Sequence, residues 1–186
     1  MDKELLRKIA KLSERLPNEV REAYSRTISE YTVSLREVKE ARNILLFLSL
    51  PNEPDTDGLI KELRLQGKNI FVPVVRGEEF VISAYAPGDP VKYGSFGIRE
   101  PICDTASEVI PDVAVVPMVA FDNAFTRLGH GKGYYDRYLA GKDIVKIGVC
   151  YASRKFKEIP RDPNDVAMDV IVTEEGILKG DESNRR

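Results

Sequence analysis

The stretch Pro117-Met-Val-Ala-Phe-Asp122-Asn-Ala-Phe-Thr-Arg127-Leu-Gly-His-Gly-Lys132-Gly-Tyr-Tyr-Asp136-Arg-Tyr-Leu-Ala-Gly141 constrains this chain more than any other. It follows an apolar run, Val113 to Val116, with the pattern of a buried strand, and it leads into Tyr134 to Ala140, with the pattern of a helix. Gly129, Gly131 and Gly133 surround His130 and Lys132, so the backbone can turn left-handed there and bring its amides close to a ligand. A helix beginning at Tyr134 directs its positive end at the same spot. With Arg127 and Lys132 this makes an anion site, and phosphate is the anion that suits it best. Asp136, one turn into the helix, is near enough to hold a divalent cation beside that phosphate. A glycine-rich connection with two basic residues and a core-facing tyrosine pair satisfies the same spacing.

The common nucleotide fingerprints do not fit. A Walker A loop needs Gly-Lys-Ser/Thr, but Gly133 follows Lys132, and a Rossmann loop needs glycine where Tyr134 stands.

At 186 residues the chain suits one domain with a real core, expected over 1–179, with a polar tail over 180–186. Twenty-eight basic against 30 acidic residues give no general affinity for nucleic acid or an anionic membrane. Cys103 and Cys150 are far apart and read as ordinary reduced thiols. The amino terminus is charged from its first residues, and no apolar run approaches the ~20 residues a membrane span needs. A cytoplasmic monomer is expected.

The first helix has Asp2 as N-cap, an apolar face of Leu5, Ile9, Leu12 and Leu16, and Pro17 at its end. Lys3 and Arg7, four apart, project from one side of it, although Lys8 and Lys11 on the same helix make a solvated charged face equally natural. A second helix carries Val20, Tyr24, Ile28 and Tyr31, and a third runs from a Ser34 cap to about Ala41; all three are expected on one side of a sheet. Ile44 to Ser49 and Asn69 to Val75 read as strands joined by a helix that starts at Asp55 or Thr56 and is capped by Gly67, which implies a parallel crossover. Glu79 to Tyr85 alternates like an antiparallel strand. Ala86 to Pro111 is a long ordered connection, in which Tyr93 and Phe96, with Phe80 and Tyr85, could wall an aromatic pocket. Val145 to Tyr151 and Met168 to Thr173 are the last strands. Between them Ala152 to Pro163 is a polar loop with Arg154, Lys155, Lys157 and Arg161, a pattern that suits the entrance for an anionic ligand and a merely solvated loop alike. The sum is a single three-layer α/β domain with a mainly parallel sheet of about five to seven strands and helices on both faces.

Val119-Ala-Phe-Asp122 followed by Arg127-Leu-Gly-His-Gly-Lys-Gly-Tyr-Tyr-Asp136 resembles the signature of the 5-formyltetrahydrofolate cyclo-ligases, or methenyltetrahydrofolate synthetases. Similar pieces occur in the family's order from Lys3-Glu-Leu-Leu-Arg7 to Thr173-Glu174, including Phe96-Gly-Ile-Arg-Glu-Pro101. The family converts 5-formyltetrahydrofolate and ATP to 5,10-methenyltetrahydrofolate, ADP and phosphate. The resemblance implies ATP contacts at Lys3, Arg7, Arg127, Leu128, Gly129, His130, Gly131, Lys132, Gly133, Tyr134 and Tyr135. It implies folate contacts at Glu53, Tyr134 and Tyr135, catalytic roles for Arg127, Lys132 and Tyr134, and Mg2+ at Asp136 and Asp169. The chain departs from the family pattern at Met118, at His130, where Arg or Gly is usual, and before Asp165, where a His is often found. A non-catalytic folate- or nucleotide-binding relative is the alternative. A sugar-phosphate isomerase on a similar scaffold is a third class, one that needs no ATP.

Overall fold

A computed structural model describes residues 2–12, 16–94, 97–103 and 105–180, the side chain of Leu12 excepted. Phe96 and the tail beyond Gly180 therefore lie outside the described residues. In chain order the elements are α1 (Lys3–Leu12), α2 (Asn18–Ser34), α3 (Arg36–Glu40), β1 (Asn43–Leu45), α4 (Asp57–Leu65), β2 (Asn69–Arg76) and β3 (Glu79–Ala84). There follow β4 (Val91–Tyr93), β5 (Arg99–Pro101), β6 (Val113–Pro117), β7 (Ala120–Phe121), β8 (Arg127–Leu128), α5 (Tyr134–Leu139), β9 (Val145–Val149), β10 (Val170–Thr173) and β11 (Gly176–Lys179).

Seven strands form one sheet in the order β11-β10-β9-β6-β1-β2-β3. The five inner strands are parallel, and each edge is closed by an antiparallel strand, β3 on β2 and β11 on β10. The strand expected over Glu79 to Tyr85 is thus β3. β11 was not anticipated: Thr173 and Gly176 pair across a tight turn that carries no long apolar run to announce a strand. The long connection 86–111 contains the small β4–β5 hairpin, and β7 and β8 form a second one inside the central motif.

Strands covered on both faces must be apolar throughout. Val113 to Pro117 is buried at every position, as is Val170 to Thr173. One face of the sheet packs under α2, α3 and α4 through Ile28, Val38, Leu59, Ile60 and Leu63. The other packs against α5 through Leu139, with Phe121, Ile144 and Met168. On that face β9 comes so close that a Cβ on Gly148 would stand 2.5 Å from Met118 Sδ. The expected three layers are present, and no helix among the described residues is long and apolar enough to cross a membrane.

α1 departs from expectation. Asp2 does cap it, its Oδ1 accepting the Leu5 N–H at 2.8 Å. Yet Leu6 and Ala10 are the buried positions, while Leu5 and Ile9 are exposed. Leu6 packs with Ala120, Leu128 and Ile159, so α1 lies on the β7–β8 hairpin rather than beside α2 and α3 on the sheet. Leucine spacing gave two overlapping faces, and tertiary packing selected the one containing alanine.

Candidate active site

All five parallel strands end on one edge, and the chain segments leaving that edge meet around a cavity of about 610 Å³. Open α/β sheets bind ligands at this edge. α1 supplies Lys3, Arg7 and Lys11; the loop after β1 supplies Leu50, Asn52 and Glu53; β2 and β3 supply Pro73, Val75 and Phe80. The central motif supplies Arg127 and Gly129 through Asp136, and the later loop supplies Asp162 and Asp165.

The motif is held in shape by Asp122. This buried carboxylate accepts the N–H groups of Ala124 and Thr126 through Oδ1, each at 3.0 Å, and that of Ile159 through Oδ2 at 2.9 Å. Asp122 is therefore the brace that fixes the turn between β7 and β8. Gly131 and Gly133 have φ of 99° and 67°, a region where a side chain strains the backbone. Gly133 is the N-cap of α5, so its left-handed turn aims the helix start at the cavity. A Cβ on Gly131 would come within 3.2 Å of the Arg7 guanidinium. That guanidinium donates from Nε to the Gly129 carbonyl at 2.9 Å.

Arg127 is almost buried, and one of its terminal nitrogens donates to Asp136 Oδ2 at 2.7 Å. Its charge lies 5.6 Å from the Tyr135 ring centroid. Arg127 Nε and the Tyr135 hydroxyl are buried without a partner among the described residues. Burial, with the nearby Glu53 charge adding to it, drives the Tyr135 pKa upward, so this phenol stays protonated and can only donate or accept a hydrogen bond. Tyr135 meets Phe80 edge to face at 5.1 Å between centroids. The Tyr134 hydroxyl donates to the Gly77 carbonyl at 3.3 Å.

Glu53 is only 5% exposed. Its Oε2 accepts the Leu50 N–H at 2.8 Å, and its Oε1 lies 3.0 Å from His130 Nε2. Its carbonyl accepts the Tyr151 hydroxyl at 3.1 Å. The loop after β1 is thus tied to the chain just beyond β9 and to the glycine segment.

Lys3 donates to Asp162 at 2.7 Å and also to Asp165. Burial favours a neutral lysine, but the two carboxylates outweigh it and raise the Lys3 pKa. Burial likewise opposes charge on Asp165, and the hydrogen bonds from Lys3 and the Asp162 N–H still hold its carboxyl below the ordinary range.

Most of the expected residues converge: Lys3, Arg7, Glu53, Arg127, Gly129, His130, Gly131, Lys132, Gly133, Tyr134, Tyr135 and Asp136 all line the cavity. Two do not. Leu128 is buried with Leu6 and Ala120 in the seam beneath α1. Asp169 precedes β10 and so stands at the opposite, amino edge of the sheet, where its carboxylate accepts the Lys146 N–H at 2.7 Å and pairs with the Lys146 ammonium at 2.9 Å. Asp165, four residues earlier, is the acid that reaches the cavity. Among the described members of the expected aromatic wall, Phe80 lines it, whereas Tyr85 does not and Tyr93 is 76% exposed on β4. From the loop with four basic residues it is the acid Asp162 that arrives, joined by Asp165 just beyond it.

Sequence reading missed Lys11, which continues the Lys3–Arg7 spacing by one more turn, and Arg99. Arg99 forms a two-pronged bridge to Asp57, both contacts 2.9 Å, at the cavity rim. Cys150 is inert: burial pushes its thiol up to about 12, and Sγ donates to the Met118 carbonyl at 3.3 Å.

A three-layer α/β domain with a deep cation-lined cleft at the carboxyl edge of its sheet defines the general class. The model of the 5-formyltetrahydrofolate cyclo-ligase family matches residues 1–174, and the chain belongs to that family of enzymes. It is 32% identical over 157 residues to the 5-formyltetrahydrofolate cyclo-ligase of Haemophilus influenzae, covering 78% of this chain and 83% of that one. The 5,10-methenyltetrahydrofolate synthetase of Aquifex aeolicus superposes with a TM-score of 0.83 at 35% identity, covering 96% of this chain and 93% of that one. The Mycoplasma pneumoniae synthetase superposes with a TM-score of 0.71 at 25% identity, covering 94% and 99%.

Proposed function

We propose that the chain converts 5-formyltetrahydrofolate and ATP to 5,10-methenyltetrahydrofolate, ADP and phosphate. The observation that carries this reading is the convergence of Lys3, Arg7, Arg127, Lys132 and the glycine segment on one cavity that Glu53, Tyr135 and Phe80 also line. The cations and amides suit phosphate, and the acid with the aromatic rings suits a flat polar heterocycle.

The formyl oxygen of an N-formyl amide is a poor leaving group. Transfer of the γ-phosphoryl group to that oxygen makes an iminium phosphate and releases ADP. The second folate nitrogen then attacks the formyl carbon and gives up its proton to water, the ring closes, and the C–O bond breaks to expel phosphate. Such transfer asks the protein mainly for position and positive charge. Arg7, Arg127 and Lys132 hold the transferring group, Lys3 the nucleotide, and the amides of residues 129–133 its oxygens. The protonated Tyr135 phenol and Tyr134 flank the junction of the two substrates. Glu53 accepts hydrogen bonds from the folate ring.

Magnesium suits this cleft in the manner typical of phosphate enzymes, held by one or two carboxylates and the substrate rather than by a protein cage. Among the described residues no three acidic, histidine or cysteine side chains form such a cage. Asp136 uses Oδ2 for Arg127 and Oδ1 for the Val166 N–H at 3.2 Å, which leaves lone pairs free on both oxygens. Asp165 keeps Oδ1 without a hydrogen bond among the described residues. These two acids would hold the ion, which when bound neutralises charge on the phosphates. Every assigned residue comes from this one chain, so a monomer suffices.

The test is absorbance on mixing the protein with 5-formyltetrahydrofolate, magnesium and ATP. An ATP-dependent rise in the methenyl product's near-ultraviolet band is expected. No rise from a folded sample that still binds both ligands would favour a non-catalytic binding relative.

A further inference from the structure

His130 is the only histidine of the chain, and nothing in the reaction described above calls for it. It stands at the centre of the glycine segment, and its neighbours on both sides are held from α1. Arg7 Nε takes the Gly129 carbonyl at 2.9 Å, and the Arg7 guanidinium lies against Gly131. Its side chain reaches the other way, to Glu53 Oε1 at 3.0 Å. A carboxylate only accepts hydrogen bonds, so His130 donates here and Nε2 carries the proton. The second Glu53 oxygen is already taken by the Leu50 N–H, and the Glu53 backbone is anchored by Tyr151. His130 therefore determines how the remaining oxygen of Glu53 is aimed.

The contact joins two loops that leave different strands. One follows the β7–β8 hairpin and is proposed to grip phosphate; the other follows β1 and is proposed to meet folate. Their link runs Arg7, Gly129–Gly131, His130, Glu53, each joint a contact already described. Lys11 and Arg154 line a small cavity together with His130, Glu53, Cys150 and Tyr151, so cations flank the contact from the Glu53 side while the His130 side chain is 41% exposed.

We infer that His130 is a positioning residue that couples the two substrate half-sites: through it, nucleotide seated on Arg7 and the glycine segment sets the Glu53 carboxylate for formylfolate. This rests on the proposed function. When a phosphate oxygen draws on Arg7, the hold on the Gly129 carbonyl changes, the segment shifts, and His130 carries the shift to Glu53. Binding of either substrate then favours the other by the same factor, as linkage requires. Histidine suits the part because its planar ring spans the gap and presents a single N–H to a buried oxygen.

The experiment is calorimetric titration of 5-formyltetrahydrofolate into the full chain, with and without a non-hydrolysable ATP analogue and magnesium. It is repeated for His130→Ala and for His130→Gln, whose amide nitrogen can stand near the position of Nε2. The wild type is expected to bind formylfolate at least about 5-fold more tightly with nucleotide present. In His130→Ala that ratio should fall towards one, while His130→Gln retains most of it. A wild-type ratio of one, or the full ratio surviving in His130→Ala, overturns the coupling. An equal loss of affinity for both ligands with the ratio intact overturns it too, because it marks a merely structural role. Failure of the wild type to bind formylfolate at all overturns the functional reading and the coupling with it, whereas binding with an unaltered ratio removes the coupling alone.

Discussion

The Arg127 guanidinium donates to Asp136 Oδ2 at 2.7 Å, with both side chains largely withdrawn from water. The cation expected to face phosphate and the acid expected to face magnesium are thus one hydrogen-bonded unit. Each orients the other before any substrate arrives, as a site that stabilises developing charge requires.

Arg127→Ala should lower turnover about 10²-fold or more. It also strips a mostly buried Asp136 of its partner, so the thermal midpoint should fall as well. Steady-state rates and a melting curve on the same preparation check both effects, and wild-type turnover in the folded variant would remove Arg127 from the mechanism.

Glu53→Gln keeps the size of the side chain but not its charge. The amide can still accept from His130 or from the Leu50 N–H, yet it no longer offers a carboxylate to the folate ring. Affinity for 5-formyltetrahydrofolate should drop much further than affinity for nucleotide. Calorimetric titration of each ligand separates the two, and equal weakening would argue against Glu53 as a folate contact.

The Lys3–Asp165 pair predicts a particular response to acid. The folded pKa of Asp165 is depressed, so its contribution to stability is present above the ordinary value of 3.8 and is lost as pH falls through the lower folded value. Lys3 is raised, so its contribution is full below 10.5 and disappears only as pH rises through the higher folded value. The urea midpoint of Asp165→Asn should therefore lie below wild type at neutral pH, and the gap should close in strong acid. A gap independent of pH would mean that packing, not the ion pair, makes the difference.

Gly148→Ala tests the close approach on the second face of the sheet. The new methyl would meet Met118 and Met168 side chains at 2.5 and 2.9 Å. Forcing an extra carbon into a packed core costs typically about 1–3 kcal/mol, which a denaturant titration resolves. Methionine is adaptable, so the lower end is expected. An unchanged midpoint would show that this layer has room to spare.

The parallel sheet was legible because its strands are buried on both faces and so appear as unbroken apolar runs, Val113 to Val116 being the clearest. That Gly129 to Asp136 lines the cavity was legible because three alternating glycines beside Arg127 and Lys132 connect a strand to a helix there. What could not be read was which of two acids four apart, Asp165 or Asp169, turns towards the cleft. That depends on where β10 begins, and Val170 pairs in register with Ile147, which commits Asp169 to the far edge. Leu128 stands off the cavity for a related reason. It lies between two cavity-lining residues in sequence, but side chains alternate along a strand, so its neighbour Arg127 faces the cleft and Leu128 the seam under α1. The buried face of α1 was unreadable because the surface that selects it comes from residues 120–159.

The seat of α1 also bears on how the protein is made. Leu6 rests on Ala120, Leu128 and Ile159, so α1 leaves the ribosome with no surface to lie on until those later residues have followed. Ten residues alone are a marginal helix in water. Lys3, Arg7 and Lys11 can take their places only after the hairpin beneath them exists, and a nascent chain therefore lacks the complete cation-lined cleft until Ile159 has been made.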